Sequence, residues 1–230
     1  MISFFNKYKR VVFTVVVVIF VGSIFFVSGQ VFTTSMDAVA DVGGTKIPYQ
    51  RFLSQVNRVI SSFKDSSTEV NEAMIKGVKQ EVFREMIIEE LLSQQGAKLG
   101  MRVPDFEVAV EVQNTPQFQE NGAFSPRAYF QAVYNEFHFS PSEYETWRKK
   151  ARLASKFKQF IYTSVKVTPA EAKAYYQAKN KDLKNFEKER PKYTDELARE
   201  KFANLANYLL RQLTTRQEIK SYLEQREQGR

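Results

Sequence analysis

Apolar positions along this chain fall into two regimes, one continuous run near the start and interrupted stripes thereafter. Residues 11–27 carry no charged or amide side chain, and the uncharged run continues to Met36. A helix that crosses the hydrocarbon core needs about 20 such residues, and 11–32 supplies them. The β-branched stretch 15–19 does not oppose a helix there, because a bilayer leaves the backbone no other way to satisfy its polar groups. Lys7, Lys9 and Arg10 precede the run, and cations resist translocation, so this end stays cytoplasmic. The expectation is a basic flank and transmembrane anchor over 1–36, spanning about 11–32, with 37–230 across the membrane. A cleaved secretory signal is the competing reading, and a buried helix of an ordinary core is a third. The run is longer than the usual signal core. The small-residue triplet Ala38-Val39-Ala40 lies well past its end, and Ser28-Gly29 has Val27 where a small residue is wanted.

Beyond the anchor the pattern predicts helices with one short extended stretch. Residues 38–42 alternate like a strand, Gly43-Gly44 is a tight-turn signal, and Thr45-Lys46-Ile47 follows; this is a small hairpin or an extended lead-in to the first helix. From Pro48, Phe52, Val56, Val59 and Phe63 recur at helical spacing, and 61–68 reads as a loop. Val70, Met74, Val78, Val82, Met86 and Leu91-Leu92 trace a long helix over 69–98, with Gly96 and Gly100 near its end, where a capping glycine belongs. Pro104 opens a shorter helix to about Asn114. Residues 115–124 form a loop around Asn121-Gly122, a pair suited to positive φ.

Ser125-Pro126, Ser140-Pro141 and Thr168-Pro169 each place a hydroxyl at an N-cap and a proline at the first helical position. Glu143 and Glu171 complete capping boxes in the latter two. Tyr144, Trp147, Ala151, Ala154, Phe157, Ile161 and Val165 then form one stripe. Phe202, Leu205, Leu209, Leu213, Ile219 and Leu223 predict a last helix over 194–227, with Pro191 as the break before it. The fold class is all-α. Aromatic residues crowd between Phe118 and Trp147, and either fill a core or line a groove for apolar peptide segments.

Composition removes most chemistry. There are no cysteines and one histidine, His138, so thiol chemistry and His clusters within one chain are excluded. Glu89-Glu90 point to different helix faces and do not form an acid/base pair. No phosphate loop, H-E-x-x-H or nucleophile elbow occurs. The chain reads as a non-enzyme with no catalytic, cofactor-binding or metal residue to name. Its formal charge of +8 reads as solvated helix surface beside an anionic membrane, as in Arg148-Lys149-Lys150. Nucleic-acid binding lacks both a module and access.

The segment from Thr115 to Phe130, with Phe118, Gln119, Gly122, Phe124 and Tyr129 followed by Ser140-Pro141-Ser142-Glu143, resembles a recurrent loop-and-helix of the SurA/PpiD group of periplasmic chaperones. Val167-Thr168-Pro169-Ala170-Glu171 with Tyr175-Tyr176, and Val39-Ala40-Asp41-Val42-Gly43-Gly44 to Ile47, resemble two further segments of that group, in the same order. The anchor matches its membrane-tethered branch. The resemblance covers about 37–186 and implies a helical chaperone domain over 37–230, with the C-terminal helix packing back on it. It departs in one place: residues 179–193 lead directly to the last helix, leaving no space for the parvulin domain that usually follows the Tyr-Tyr helix, so isomerase activity does not carry over. What it implies is a single-pass inner-membrane protein, N-terminus cytoplasmic and bulk periplasmic. Such a protein binds unfolded outer-membrane or secreted polypeptides without ATP, beside the translocation machinery or another membrane complex. An accessory or scaffold subunit of an inner-membrane complex is the alternative. No client-binding residue is singled out by the sequence, since groove and core aromatics share one periodicity.

Overall fold

A computed structural model describes residues 38–65, 70–180 and 182–228. The expected membrane span at 11–32 lies outside them, and among the described residues no helix is long and apolar enough to cross a membrane. In chain order the elements are β1 (Ala38–Val42), β2 (Thr45–Pro48), α1 (Tyr49–Asp65), α2 (Glu72–Lys98) and α3 (Asp105–Asn114). A 3-10 turn (Pro116–Phe118) leads to β3 (Gln119–Glu120) and β4 (Ala123–Phe124). Then come α4 (Pro126–Phe137), α5 (Pro141–Ser164), α6 (Pro169–Lys179), α7 (Phe186–Arg216), β5 (Ile219–Ser221) and α8 (Leu223–Gln228).

The glycine pair does close a hairpin. Gly43 and Gly44 take φ of 58° and 84°, the positive values that a two-residue turn needs to match strand twist, and the Gly44 N–H donates to Asp41 at 2.8 Å. β1 pairs antiparallel with β2, Ala40 opposite Ile47 and Val42 opposite Thr45. The smaller turn at Asn121-Gly122 (φ 55° and 79°) closes β3 on β4 in the same way.

The C-terminal segment differs from the single helix expected over 194–227. α7 begins at Phe186 and runs through Pro191. That proline sits near the helix start, where one backbone bond is forfeited, while Phe186 and Tyr193 bury against Ala172 and Tyr176 of α6. At the other end the chain leaves the helix after Arg216. β1 still has an open edge there, and β5 fills it, Ala40 opposite Ser221 and Val42 opposite Ile219. The Tyr222 N–H donates to the Val39 carbonyl at 2.9 Å. The fold is thus mostly helical, with a three-stranded sheet ordered β2-β1-β5. A partner distant in sequence fixed the state of residues 219–221, and local periodicity carried no trace of it.

Two other boundaries move. α1 continues to Asp65 where a loop was expected from residue 61, because Val59 and Ile60 keep packing on the first core. α2 starts at Glu72, since the Asn71 side chain accepts the Met74 N–H at 2.9 Å. The three hydroxyl-proline starts are N-caps as expected, and both capping boxes close.

Three apolar clusters result. The first joins β1, β2, α1 and α2 to Leu213 of α7. The second contains Phe118, Tyr129, Phe137, Phe139, Tyr144 and Trp147, so most of the aromatic crowd between 118 and 147 fills a core, while Phe130 and Tyr134 stay exposed. Most of its rings meet edge-on or tilted, as in Phe118–Tyr144 and Phe137–Trp147, an arrangement their quadrupoles favour, while Phe137 and Phe139 stack. The third joins α6 to the start of α7.

Charged residues pair α5 with its neighbours α3 and α2. Glu111 of α3 takes Arg148 and Arg152 of α5, and Glu107 takes Arg152 and Lys156. Lys149 pairs with Asp105 and Lys150 with Glu90. The run Arg148-Lys149-Lys150, expected as solvated helix surface, faces carboxylates on two neighbouring helices and keeps solvent exposure, with the Lys149 side chain 46% exposed. The hydrogen bond from Lys156 is the main reason the Glu107 carboxyl lies below its usual range.

Candidate functional site

The site is a groove between α2, α5 and α7, about 560 Å³ in volume. It exists because the stripe of α5 changes size along its length. Near the helix start Tyr144 and Trp147 fill the second core, but Ala151 and Ala154 offer only methyl groups. On the far wall Ala206 does the same between Phe202 and Leu209. α2 and α5 meet closely at one end, where a Cβ at Gly96 would lie 3.3 Å from Phe157 Cβ. The floor between the helices is Ile88, Leu92, Ala154 and Ile161, and the lips carry Glu81, Arg84, Glu85 and Lys158. Tyr162 meets Phe202 edge-on with ring centroids 5.4 Å apart. Leu205 and Tyr208 of α7 stay 43% and 63% exposed but do not line the groove.

The groove has an apolar floor and charged lips, carries small side chains on its walls and is open to solvent. It can bury side chains of an extended or helical segment, at about 25 cal/mol per Å² of apolar surface removed from water. Among the described residues no cluster of three His, Cys, Asp or Glu side chains converges on one point. His138 ends α4 in the left-handed conformation, φ 51°, with its ring edge against Tyr134. Glu89 and Glu90 do diverge: Glu89 takes Arg51, while Glu90 takes Lys150 and the Gln94 amide.

Trp147 and Phe157 are both core residues, 7% and 3% exposed, so substitutions there report on folding. The groove residues had no sequence signal beyond two alanines within an aromatic stripe. The contribution of α7 was less legible still, because Phe202 and Leu209 share a stripe with Leu213, which is core.

Comparison with known proteins places this geometry. The profile of the SurA-like N-terminal domain matches residues 1–158, which include the α2 wall and most of α5, whereas the α7 wall lies beyond it. The chain is also 25% identical over 203 residues to the periplasmic chaperone PpiD of Haemophilus influenzae. That alignment covers 86% of this chain but 30% of the relative, so the chain spans about a third of the length of the curated protein it matches. Since the profile covers well over half of its residues, the chain belongs to the SurA-like N-terminal domain family and is a SurA/PpiD-like chaperone-family protein.

Proposed function

We propose that this protein holds unfolded or newly translocated polypeptides, outer-membrane and secreted chains among them, in the groove between α2, α5 and α7. Residues 1–36 tether it to the inner membrane with the N-terminus cytoplasmic, and 37–230 act as one chaperone unit in the periplasm. Holding is passive: it requires neither ATP nor prolyl isomerisation, and only six residues, 180–185, connect α6 to α7. The observation that carries the reading is the open apolar groove itself, about 560 Å³ and large enough for several side chains.

The full chain is expected to suppress aggregation of a chemically unfolded outer-membrane protein at near-stoichiometric ratios. A photo-crosslinker at Ser155, on the groove wall, is expected to capture translocating chains. Neither suppression nor crosslinks would overturn the reading.

A second reading, a fixed subunit of an inner-membrane complex, is favoured by Phe130 and Tyr134. These rings lie one turn apart on α4, 57% and 67% exposed, away from the groove. Stoichiometric copurification with one membrane protein would support it, and a varied set of clients would argue against it.

A further inference from the structure

A second concave surface lies on another side of α5. One hollow, about 260 Å³, is floored by Ile47, Pro48, Phe139 and Trp147. A second, about 350 Å³, is floored by Met101, Val103 and Leu153. Thr146 and Lys150 line both, so the two form one furrow across the start of α5.

Its charge differs from that of the groove described above. Lys46, Lys150, Lys149 and Arg102 stand along the furrow. The carboxylates that line it, Glu90 and Glu143, are already engaged. Glu90 is 5% exposed and takes Lys150 and Gln94. Glu143 closes its own capping box, accepting from the Ser140 N–H at 2.8 Å and the Ser140 hydroxyl at 2.7 Å. Those hydrogen bonds, both to Oε2, hold its carboxyl below the usual range, so it stays anionic, one negative charge against the two cations Lys46 and Arg102.

Lys46 and Arg102, one in each hollow, are exposed and have no carboxylate partner among the described residues. Asp41 lies opposite Lys46 in register, but its carboxylate accepts the Gly44 N–H. Apolar floors with an unpaired cation at either end call for an occupant that is apolar in the middle and anionic at both flanks.

We propose that this furrow is a separate subsite for acidic, extended polypeptide segments. An apolar side chain sits on the Trp147 or Leu153 floor, and flanking Asp or Glu carboxylates reach Lys46 and Arg102. The proposal rests on the polypeptide-holding reading and adds selectivity to it. The α2–α5–α7 groove, whose lips mix Glu81 and Glu85 with Arg84 and Lys158, takes apolar segments without regard to charge, while the furrow selects acidic ones.

The test is fluorescence anisotropy of the full chain with three labelled peptides. They share one Phe-containing apolar core and differ in flanks of Asp, Asn or Lys. Two exposed charge contacts correspond to a preference for the Asp peptide over the Lys peptide of roughly tenfold at low salt. Screening should shrink this severalfold in 0.5 M salt. The double variant Lys46→Gln/Arg102→Gln should lose the preference while keeping affinity for the Asn peptide. Equal binding of Asp and Lys peptides, or a preference that survives the double variant, overturns the furrow assignment alone. Failure to bind any of the three peptides overturns the polypeptide-holding reading with it. Displacement of the Asp peptide by a soluble short-chain phosphatidylglycerol, but not by unlabelled peptide, would assign the furrow to lipid headgroups and overturn the proposal.

Discussion

Arg51 is the side chain whose removal should cost the fold most for its size. It is 5% exposed, on α1, and reaches Glu89 of α2, while its guanidinium lies 4.7 Å from the centroid of the Trp147 ring of α5. Burial lowers its pKa, against the opposing pull of Glu89; it remains charged at neutral pH, and the carboxylate and the ring replace part of its water, while the buried Nε has no hydrogen-bond partner among the described residues. Arg51→Met keeps most of the apolar stem and removes the charge. Breaking a buried ion pair costs about 3–5 kcal/mol because one charge is left behind. Glu89 is 26% exposed and partly rehydrates, which brings that figure below the range, to about 2 kcal/mol. Loss of the guanidinium from the ring face adds about 1 kcal/mol.

The expected destabilisation is therefore about 3 kcal/mol, a large share of an ordinary folding free energy of about 5–15 kcal/mol. Urea unfolding followed by fluorescence reads it directly, since Trp147 is the chain's one tryptophan, with far-ultraviolet circular dichroism as the independent probe. The double variant Arg51→Met/Glu89→Met should be more stable than Arg51→Met alone, because it leaves no stranded charge. An unchanged midpoint in Arg51→Met, or a double variant at the sum of the two single losses, would refute the reasoning.

Three further outcomes follow from other contacts. Gly96→Leu should destabilise by about 1–3 kcal/mol, because α2 and α5 approach there within one Cβ contact of Phe157; thermal melting checks it, and a neutral result would mean the helices can part. Deleting 218–230 should expose the β1 edge and strip the Val39 carbonyl and the Gly43 N–H of their partners; hydrogen exchange at Gly43, and at Asp41 on the same side of the strand, should then rise by orders of magnitude. Glu171 accepts from Lys201 of α7, and from the Thr168 backbone and hydroxyl. These hold its pKa at about 2, the Lys201 bond contributing most. A carboxyl depressed in the folded state stabilises above its unfolded value of 4.5, and that contribution is lost as pH falls toward about 2. An acid titration of the melting temperature should therefore fall across that window, and Glu171→Gln should flatten the fall.

Local signals in this chain were legible where the cause was local. Ser140 and Thr168 with their glutamates, the Asn121-Gly122 turn and the Gly43-Gly44 turn each depend on neighbours within four residues. The sequence placed them before any fold was known. What failed was what depends on distant partners. Ile219 and Leu223 extend the α7 stripe on paper, yet Ile219 pairs with Val42 because β1 needs a third strand. Pro191 looked like a break, yet burial of Phe186 and Tyr193 on α6 outweighs one missing backbone bond. Whether the Phe118 and Tyr129 rings fill a core or line a client groove is decided only by packing. The groove itself escaped for the same reason: alanine on a stripe marks a hollow only when the facing helix also carries small residues, and Ala206 is 52 positions from Ala154.

The central claim is that the α2–α5–α7 groove is where polypeptide is held, and filling it tests that most directly. Ala206→Trp places a large ring over the floor from the outer helix, at a half-buried position away from all three cores. The measurement is the concentration of full-length protein needed to halve the aggregation of an unfolded outer-membrane protein, compared between wild type and Ala206→Trp. Excluding one client side chain worth about 1.5–3 kcal/mol should raise that concentration at least tenfold, with the melting temperature little changed. A stably folded Ala206→Trp protein that protects its client as well as wild type would contradict the claim.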